Sequence, residues 1–421
     1  MIQSSIHKKN SSTARVGLVL LAMLLSSCAS VPKTRPTPPA ACPSTCTEPS
    51  PVIVRVPEPA PTVPSPPPLS WANNLKPAAW SDLPGWSSDS ATDAFAVFLR
   101  SCIGLKNRPD WRAVCADAAS VAVREEATLR QFFETHLSPY SVVNADGTSQ
   151  GLVTGYYEPI MRGSRRQSAS FRFPVYGVPD DLLVIDLGSV YPELKNYRLR
   201  GRVDGRKVVP YYTRNEIEEG KGVTGRELAW VDDAVDLFFL QIQGSGRIIL
   251  ENGEVIRLSY AEQNGHPYRS IGRLLVERGE LPLEQASLQG IKSWGSRNPD
   301  KLPELLNSNA SYVFFREQIA DNDGPTGALG VALTAGRSIA IDPRAVPLGA
   351  PVFISTTAPN STEPLNRLVM AQDTGGAIKG AVRADFFWGS GDDAGALAGR
   401  MRQTGRLWVL LPLGFSLTAP N

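Results

Sequence analysis

Residues 368–391, LVMAQDTGGAIKGAVRADFFWGSG, decide the fold and set two aspartates, Asp373 and Asp385, among glycines with little other charge nearby. The apolar residues 368–371 predict a buried strand that runs into Asp373. Glycines such as those at 375 and 376 adopt backbone conformations that other residues resist, and they let a ligand approach the chain closely. The pattern therefore indicates a ligand site around the two aspartates.

Three aromatic residues, Phe386, Phe387 and Trp388, follow Asp385 and predict an apolar wall beside its carboxyl group. A carboxyl group against such a wall is harder to ionise, so its pKa rises. A raised pKa is what a general acid needs. Asp385 is therefore a candidate catalytic acid; the alternative is a structural aspartate that caps a turn in the glycine loop.

The composition bounds the class of protein. The chain has 421 residues, which is room for two or three domains, and 43 lysines and arginines against 41 aspartates and glutamates. No basic face indicates a nucleic-acid partner, and no long basic run indicates a sustained contact with a membrane surface.

Residues 1–27 have the pattern of a signal peptide. Lys8, Lys9 and Arg15 precede an apolar stretch at 16–25, which is shorter than the roughly 20 residues of a membrane span. The sequence Leu-Ser-Ser-Cys at 25–28 resembles the bacterial lipobox, in which the cysteine, here Cys28, is lipidated and becomes the mature N-terminus. The alternative is an ordinary signal peptide with a chance cysteine.

Residues 28–70 are rich in proline and predict an extended, semi-rigid tether without a core. Two of the five cysteines, Cys42 and Cys46, lie in it, and the sequence does not decide whether they pair with each other or with another chain. Cys102 and Cys115 lie in a helical region, and we expect them to form a disulfide in an oxidising compartment.

Residues 71–150 are predicted to be mainly helical, with apolar residues at three- and four-residue spacing in 91–100 and 111–137. The chain beyond is predicted to be mainly β with helical additions. The predicted strands are 152–157, 175–178, 182–187, 237–242, 247–250, 255–258, 312–315, 328–333, 338–341, 352–354, 368–371 and 407–411, and the predicted helices are 270–278, 283–294 and 301–307. Asn252-Gly253 between apolar runs predicts a hairpin, and many short strands indicate barrels.

Two motifs suit a carbohydrate groove. The sequence TGYYEP at 154–159, which begins with Thr154 and includes Tyr157, places aromatic rings and a carboxylate at a strand end. If residues 237–242 are a strand that continues to Gln243, Gln241 and Gln243 share one face, followed by open backbone at Ser245 and Gly246. Amide side chains and bare backbone suit N-acetyl and hydroxyl groups. The alternatives are half-buried tyrosines in a sheet and a plain hairpin turn.

Two further candidate residues, His266 and Asp342, are expected to have structural or supporting roles. His266 is one of three histidines and has no second histidine nearby, so we expect a hydrogen-bonded wall or core residue rather than a metal ligand or a catalyst. Asp342 precedes Pro343 at a predicted strand end and is expected to cap a turn or to support the site. The sequence contains no nucleophile-elbow or triad motif, no phosphate-binding loop and no sign of a cofactor or metal.

Several motifs together carry a resemblance to a known family. Asp342, Asp373 and Asp385 lie within IAIDPRAVPLG, AQDTGGAIKG and RADFFWG, and they match the three-aspartate pattern of a bacterial domain family. TGYYEP, YYTR (211–214) and LQIQGSGRI (240–248) narrow the match. Over roughly residues 75–415 the chain resembles the membrane-bound lytic murein transglycosylase A family.

The resemblance implies an architecture and an address. The fold would be a double-psi β-barrel plus a second β domain, with a glycan groove between them. The expected division is a signal peptide at 1–27, a tether at 28–70, a helical part of the main domain at 71–150, a middle β domain at 151–265 and a C-terminal part with the barrel at 266–421. The family's address would be the periplasmic face of the outer membrane, reached through acylated Cys28.

The resemblance also implies an activity. The chain would be a peptidoglycan lytic exotransglycosylase that cuts the bond between N-acetylmuramic acid and N-acetylglucosamine and leaves 1,6-anhydromuramic ends. Its partners would be peptidoglycan glycan strands, with cell-wall synthesis or division proteins as further candidates. Asp385 would be the catalytic aspartate, supported by Asp373 and Asp342. The sugar contacts would be Thr154, Tyr157, Gln243, Ser245 and Gly246.

Three other functions remain open at this point. Asp373-Thr374-Gly375 is similar to the Asp-Thr-Gly of an aspartic protease, but the sequence has no second copy of that motif. A lipoprotein that binds the cell wall without cutting it would need the same groove. A muramidase that hydrolyses the same bond would need a second carboxylate to activate water.

Overall fold

The computed structural model describes residues 71–194, 197–318 and 324–417, which belong to one compact unit. The predicted signal peptide, Cys28 and the predicted tether with Cys42 and Cys46 lie outside the described residues. None of the helices in the described ranges is long and apolar enough to cross a membrane.

The described α-helices are α1 (Ala91–Leu105), α2 (Pro109–Ser120), α3 (Glu126–His136), α4 (Arg214–Glu218), α5 (Ala234–Gln243), α6 (Ile271–Glu277), α7 (Leu288–Arg297), α8 (Leu302–Asn307) and α9 (Asp392–Arg400). Short 3-10 turns occur at Trp71–Asn73, Trp80–Asp82, Trp86–Ser88, Pro192–Leu194 and Leu283–Gln285.

The described strands are β1 (Leu75–Pro77), β2 (Leu137–Val142), β3 (Gly151–Glu158), β4 (Ile160–Ser164), β5 (Phe173–Tyr176), β6 (Leu183–Ile185), β7 (Leu199–Asp204), β8 (Lys207–Pro210), β9 (Glu227–Val231), β10 (Ser245–Leu250), β11 (Val255–Gln263), β12 (Val313–Gln318), β13 (Ser338–Ile341), β14 (Pro351–Thr357), β15 (Pro364–Thr374), β16 (Arg383–Ser390) and β17 (Arg402–Pro412).

The N-terminal helices pack on the barrel through an aromatic core. Helix α1 begins where the Ser90 side chain accepts a hydrogen bond from the Asp93 N–H, and α2 begins with Pro109, a residue suited to the first helical turn. A disulfide joins Cys102 of α1 to Cys115 of α2. The predicted helix 111–137 is two helices, because residues 121–125 leave the helical path before α3 begins.

Six strands close into a barrel in the order β3-β17-β14-β15-β13-β16 and back to β3. The pairs β13–β15 and β16–β3 are parallel, and the other four pairs are antiparallel. All four residues of β13 are buried, which suits a strand with neighbours on both sides and cover on both faces. Strand β2 extends the sheet beyond β17, and β1 pairs with β2.

The middle part of the chain forms a second β module. Its sheet has the order β12-β11-β10-β4-β9-β5, and a parallel bridge between Gly177 and Phe315 joins the two ends. The predicted hairpin at Asn252-Gly253 is confirmed, because β10 and β11 pair antiparallel around it. A small sheet, β6-β7-β8, stands apart, and α5 to α8 share their own apolar core. The mainly β fold with a barrel and a second β domain is confirmed.

Two predicted strands are wrong. Residues 237–242 lie in helix α5, where Asp233 caps the first turn by accepting from the N–H groups of Val235 and Asp236. A short apolar run does not distinguish a strand from a buried helix, and the cap decides here. Residues 328–333 form turns with one bridge between Thr326 and Ala332. Two of their apolar side chains are covered without strand pairing, because Leu329 packs against Gly104 of α1 and Leu333 packs among barrel residues.

Two boundaries also differ from the expected division. Residues 137–142, at the end of the predicted helical region, form β2 and pair with β17. Strand β3, which the division assigned to the middle domain, belongs to the barrel because it pairs with β16 and β17. The middle module therefore begins at β4. It ends with β12 rather than at residue 265, because β12 pairs with β11.

Candidate active site

Strand register brings the two candidate aspartates into one row. Ala340 of β13 pairs with Asp373 of β15 on one side and with Asp385 of β16 on the other, and Asp385 pairs in turn with Thr154 of β3. Neighbouring strands lie about 4.8 Å apart, so the strands that carry the two aspartates are separated by about 10 Å. Paired residues present their side chains on the same face of a sheet. The barrel thus places both carboxyl groups on one surface.

Asp385 combines surrounding protein with remaining solvent access. The Thr154 hydroxyl donates to its Oδ1, and Tyr156, Ala340 and Phe387 form an apolar cluster on the same row of strands. Burial raises the pKa of Asp385 above its ordinary value, although the hydrogen bond from Thr154 and the positive charge of Arg383 oppose the shift. The side chain is only partly covered. This is the environment of a carboxyl group that holds a proton and can deliver it.

The predicted aromatic wall is only partly correct. Alternation along β16 places Phe387 on the face of Asp385 and sends Phe386 and Trp388 to the other face. Phe386 is fully buried in the main core, and the Trp388 indole N–H contacts the Met401 sulfur. The missing part of the wall comes from Tyr156 of β3, a strand more than 200 residues earlier.

Arg383 is linked to Asp385 indirectly, by a hydrogen bond to the Thr154 side chain. It lies two residues before Asp385 on β16, and its Nη2 donates to the Thr154 oxygen at 2.9 Å. Its other amino group donates to the carbonyl oxygens of Ala384 and Leu152. The guanidinium therefore contacts the hydroxyl that itself contacts Asp385.

Asp373 is fixed by three donors. Its Oδ1 accepts from the N–H groups of Ala328 and Thr374, each at 2.9 Å, and its Oδ2 accepts from the Tyr156 hydroxyl at 3.1 Å. Burial raises the pKa of Asp373 to about 6 despite these hydrogen bonds, and the charge of Asp385 adds to the rise. Burial raises the pKa of both carboxyl groups, so the pair favours a state with a single negative charge over one in which both groups are ionised.

The pKa of Asp373 predicts a pH-dependent stability. The folded state holds this proton more tightly than the unfolded chain, so between about pH 4 and pH 6 the free energy of unfolding falls as the pH rises. Asp373→Asn keeps an acceptor for the two N–H groups and removes the charge. We expect it to raise the free energy of unfolding by about 1–3 kcal/mol at pH 8 and to change it little at pH 4. Urea unfolding at the two pH values measures this.

The matched control for that comparison is Asp393→Asn, which removes an exposed carboxylate in the first turn of α9. It should show no comparable gain at pH 8. If Asp373→Asn changed the free energy of unfolding by the same amount at pH 4 and at pH 8, the result would contradict the account of Asp373.

Asp342 holds a loop beside the site. It follows β13, forms an ion pair with Arg344 at 2.6 Å and accepts from the Gly380 N–H at 3.0 Å. Burial by itself would raise the pKa of Asp342, but the hydrogen bonds from Arg344 and Gly380 outweigh it and lower the pKa. An ionised, paired carboxylate suits the predicted turn-capping role. It anchors the loop between β15 and β16.

The predicted sugar contacts lie at the junction of barrel and middle module. The ring of Tyr157 is buried against Gly395 of α9, with 7% of the residue exposed, and its backbone N–H donates to Gln243 Oε1 at 3.2 Å. Gln243 ends α5, and Gly244 follows in the left-handed conformation with φ 77°. Gln241 does not share its face, because it lies on a helix and accepts from buried Arg214 instead.

Ser245 and Gly246 are the first residues of strand β10, rather than the open backbone that the sequence predicted before a strand at 247–250. Ser245 pairs with Ser259 of β11 and is partly exposed. Gly246 is packed so closely that a Cβ there would lie 2.4 Å from a methyl carbon of Leu240. Its lack of a side chain is thus required by packing of α5 on β10.

His266 is a hydrogen-bonded residue of the middle module. Its Nε2 lies 2.8 Å from the Tyr211 carbonyl oxygen, and it is partly exposed. The hydrogen bond agrees with the interpretation made from the sequence.

Sequence reasoning missed a buried charge cluster that joins the two modules. Glu158 ends β3 and is fully buried; it pairs with Arg247 at 2.9 Å and Arg257 at 3.6 Å, and it accepts from the Ser390 hydroxyl at 2.6 Å. Both arginines belong to the middle module, whereas Glu158 and Ser390 belong to barrel strands. The available signal was the carboxylate in TGYYEP together with the arginine after GSG.

Comparison with known proteins divides the chain in nearly the same way as the structure does. Two family models match the chain: the MltA specific insert domain over residues 152–316 and the 3D domain over residues 337–411. The first range covers β3 and the middle module, and the second covers the barrel strands that carry the aspartates.

Solved and curated relatives cover most of the chain. The crystal structure of MltA from Neisseria gonorrhoeae superposes with a TM-score of 0.72 at 41% identity and covers 82% of this chain and 94% of that one. Escherichia coli MltA with bound chitohexaose gives 0.60 at 28%, covering 77% and 90%. Membrane-bound lytic murein transglycosylase A of Escherichia coli K12 is 32% identical over 290 residues, 67% of this chain and 70% of the relative. The chain belongs to the membrane-bound lytic murein transglycosylase A family.

Proposed function

We propose that this protein is a lytic transglycosylase of peptidoglycan in which Asp385 serves alone as acid and base. Membership of the family supports the activity. The observation that supports the residue assignment is the environment of Asp385: a carboxyl group with a raised pKa, held by Thr154 and still reached by solvent.

The proposed reaction uses one carboxyl group twice. Protonated Asp385 gives its proton to the oxygen between C1 of N-acetylmuramic acid and C4 of N-acetylglucosamine, and the C1–O bond breaks with its electron pair going to that oxygen. The sugar passes through an oxocarbenium-like state. Asp385, now ionised, takes the proton of the muramic C6 hydroxyl, whose oxygen bonds to C1. The carboxyl group is protonated again, and the product carries a 1,6-anhydro end.

Asp373 would tune this cycle from the other side of β13. With a pKa of about 6 it is mostly ionised at neutral pH, so its negative charge discourages early loss of the proton from Asp385. Its three hydrogen bonds hold it in one place while Asp385 changes charge.

The proposed sugar contacts are assigned from the hydrogen bonds that each side chain already makes within the protein. Gln243 accepts from Tyr157 with its oxygen, so its amide nitrogen is the atom to donate to an N-acetyl carbonyl. Ser245, which is partly exposed, would bind a hydroxyl group beside it, and the buried Gly246 would contribute by the close packing that places β10 against α5. Thr154 and Tyr157 would contribute by positioning, since the Thr154 hydroxyl contacts Asp385 and the Tyr157 ring is buried.

The proposed address is a membrane of the cell envelope. Curated relatives are named membrane-bound. Lipidation of Cys28, with the outer membrane as its site, is the anchor that the sequence suggests. Cell-wall synthesis or division proteins are proposed as further partners.

Incubation with purified murein sacculi tests the function. We expect soluble muropeptides that are one water lighter than hydrolysis products. A binding protein would retain sacculi and release nothing, a muramidase would release the heavier products, and a protease would cleave casein. Any of these three results in place of the expected one rejects the proposal.

A further inference from the structure

The hydrogen bonds around Thr154 have a fixed direction. The Arg383 guanidinium has only donors, so the Thr154 oxygen must accept the hydrogen bond from Nη2. A hydroxyl has a single proton to donate, and the acceptor in contact with it is Oδ1 of Asp385. The order of donation is therefore from Arg383 to Thr154 to Asp385.

This order determines which oxygen of Asp385 carries the acidic proton. If Oδ1 were protonated it would turn its proton toward the Thr154 oxygen, and the hydroxyl proton would lose its acceptor. A buried donor without an acceptor costs about 1–3 kcal/mol. With the proton on Oδ2, every donor in the row has an acceptor. Oδ2 is thus the oxygen that exchanges a proton with substrate.

We infer that Arg383 is a positioning residue that acts through the Thr154 hydroxyl to keep the exchangeable proton of Asp385 on Oδ2. The inference rests on the proposed role of Asp385 as acid and base. Arg383 itself does not reach the reacting atoms; it fixes which side of the carboxyl group faces the glycosidic oxygen.

Arg383 also affects when the proton is lost. The titratable groups that face Asp385 are Arg383 on its own strand, Tyr156 on β3 and Asp373 on β15, while Arg402 of β17 lies opposite Thr154 in register. The positive charge of Arg383 lowers the pKa of Asp385, against burial. Its removal should move the loss of activity at high pH, where the acid ionises, to still higher pH.

The first experiment compares Arg383→Met with wild type on sacculi across pH. We expect kcat to fall by about 10- to 100-fold, KM to stay nearly unchanged, and the high-pH limb of kcat/KM to move upward. A lower kcat with an unmoved limb would mean that Arg383 only ties β16 to β3, and it would overturn the inference. The control is Arg406→Met, which removes an exposed arginine on a different strand, β17, and should behave as wild type.

A double-mutant comparison tests the route through Thr154. If Arg383 acts through that hydroxyl, adding Arg383→Met to Thr154→Val causes no further fall in kcat. Multiplying losses would show an independent action and reject the route. Thr154→Ser, which keeps the hydroxyl, should retain most of the activity.

Two polar variants carry the test if Arg383→Met does not fold. Arg383→Lys keeps a group that only donates, whereas Arg383→Gln can also accept and so permits the reversed order. We expect the lysine variant to retain the higher kcat; the opposite ranking overturns the inference. Activity near wild type in Asp385→Asn would instead reject the proposed function. Inactive Asp385→Asn with fully active Arg383→Met would reject the inference alone.

Discussion

Asp385→Asn should lower the release of anhydromuropeptides from sacculi by about 10²- to 10⁴-fold, the range that proton transfer by a positioned side chain contributes. The asparagine keeps the shape of the side chain and an oxygen to accept from Thr154, but it can neither give nor take the proton. Folding and retention on sacculi should therefore persist. Muropeptide release is followed by chromatography, and binding by co-sedimentation.

Asp393→Asn is the matched control for Asp385→Asn, since it removes a carboxylate that is exposed on α9 and should leave activity unchanged. The release of anhydromuropeptides by Asp373→Asn should lie between that of these two variants, because Asp373 affects the pKa of Asp385 without exchanging the proton itself. Near-normal release by Asp385→Asn would rule out the assignment of the acid.

Glu158→Leu should lower the free energy of unfolding by about 3–5 kcal/mol, the usual cost of removing one partner from a buried ion pair. The glutamate is fully buried, and Arg257 is 3% exposed, so the variant removes a carboxylate that compensates positive charge held away from water. The volume of leucine is close to that of glutamate, which limits any cavity. Urea unfolding monitored by tryptophan fluorescence measures the change.

Glu254→Leu is the control for this second prediction. Glu254 also pairs with an arginine, Arg165 at 3.5 Å, but both side chains are substantially exposed, so the loss should stay below about 1 kcal/mol. Similar losses in the two variants would contradict the view that the Glu158 cluster joins barrel and middle module.

Local pattern predicted the parts of the fold whose signals are short-range. Strand β13 has the predicted bounds, since residues 339–341 are apolar and turn residues flank the strand. The hairpin at Asn252-Gly253 follows from its turn chemistry. Helix α5 differs from the predicted strand because the alternation of Gln241 and Gln243 imitates a strand, whereas the cap at Asp233 starts a helix.

The site could be predicted only in part. Asp373 and Asp385 stand out because glycines and aromatic residues surround them in the sequence. The roles of Thr154 and Tyr156 depend on β3 pairing in parallel with β16, across 231 residues for the Thr154–Asp385 contact, and no local pattern shows such a pairing. The sequence places Arg383 two residues before Asp385, but the effect of Arg383 on Asp385 depends on the Thr154 hydroxyl that β3 supplies.

Reaction in water enriched in ¹⁸O tests most directly whether a single carboxyl group closes the ring without a water nucleophile. We predict that mass spectrometry of the muropeptides released by the wild-type protein shows 1,6-anhydro ends without ¹⁸O. Reducing ends that carry one ¹⁸O atom would show that water attacks C1, and would contradict the account of Asp385.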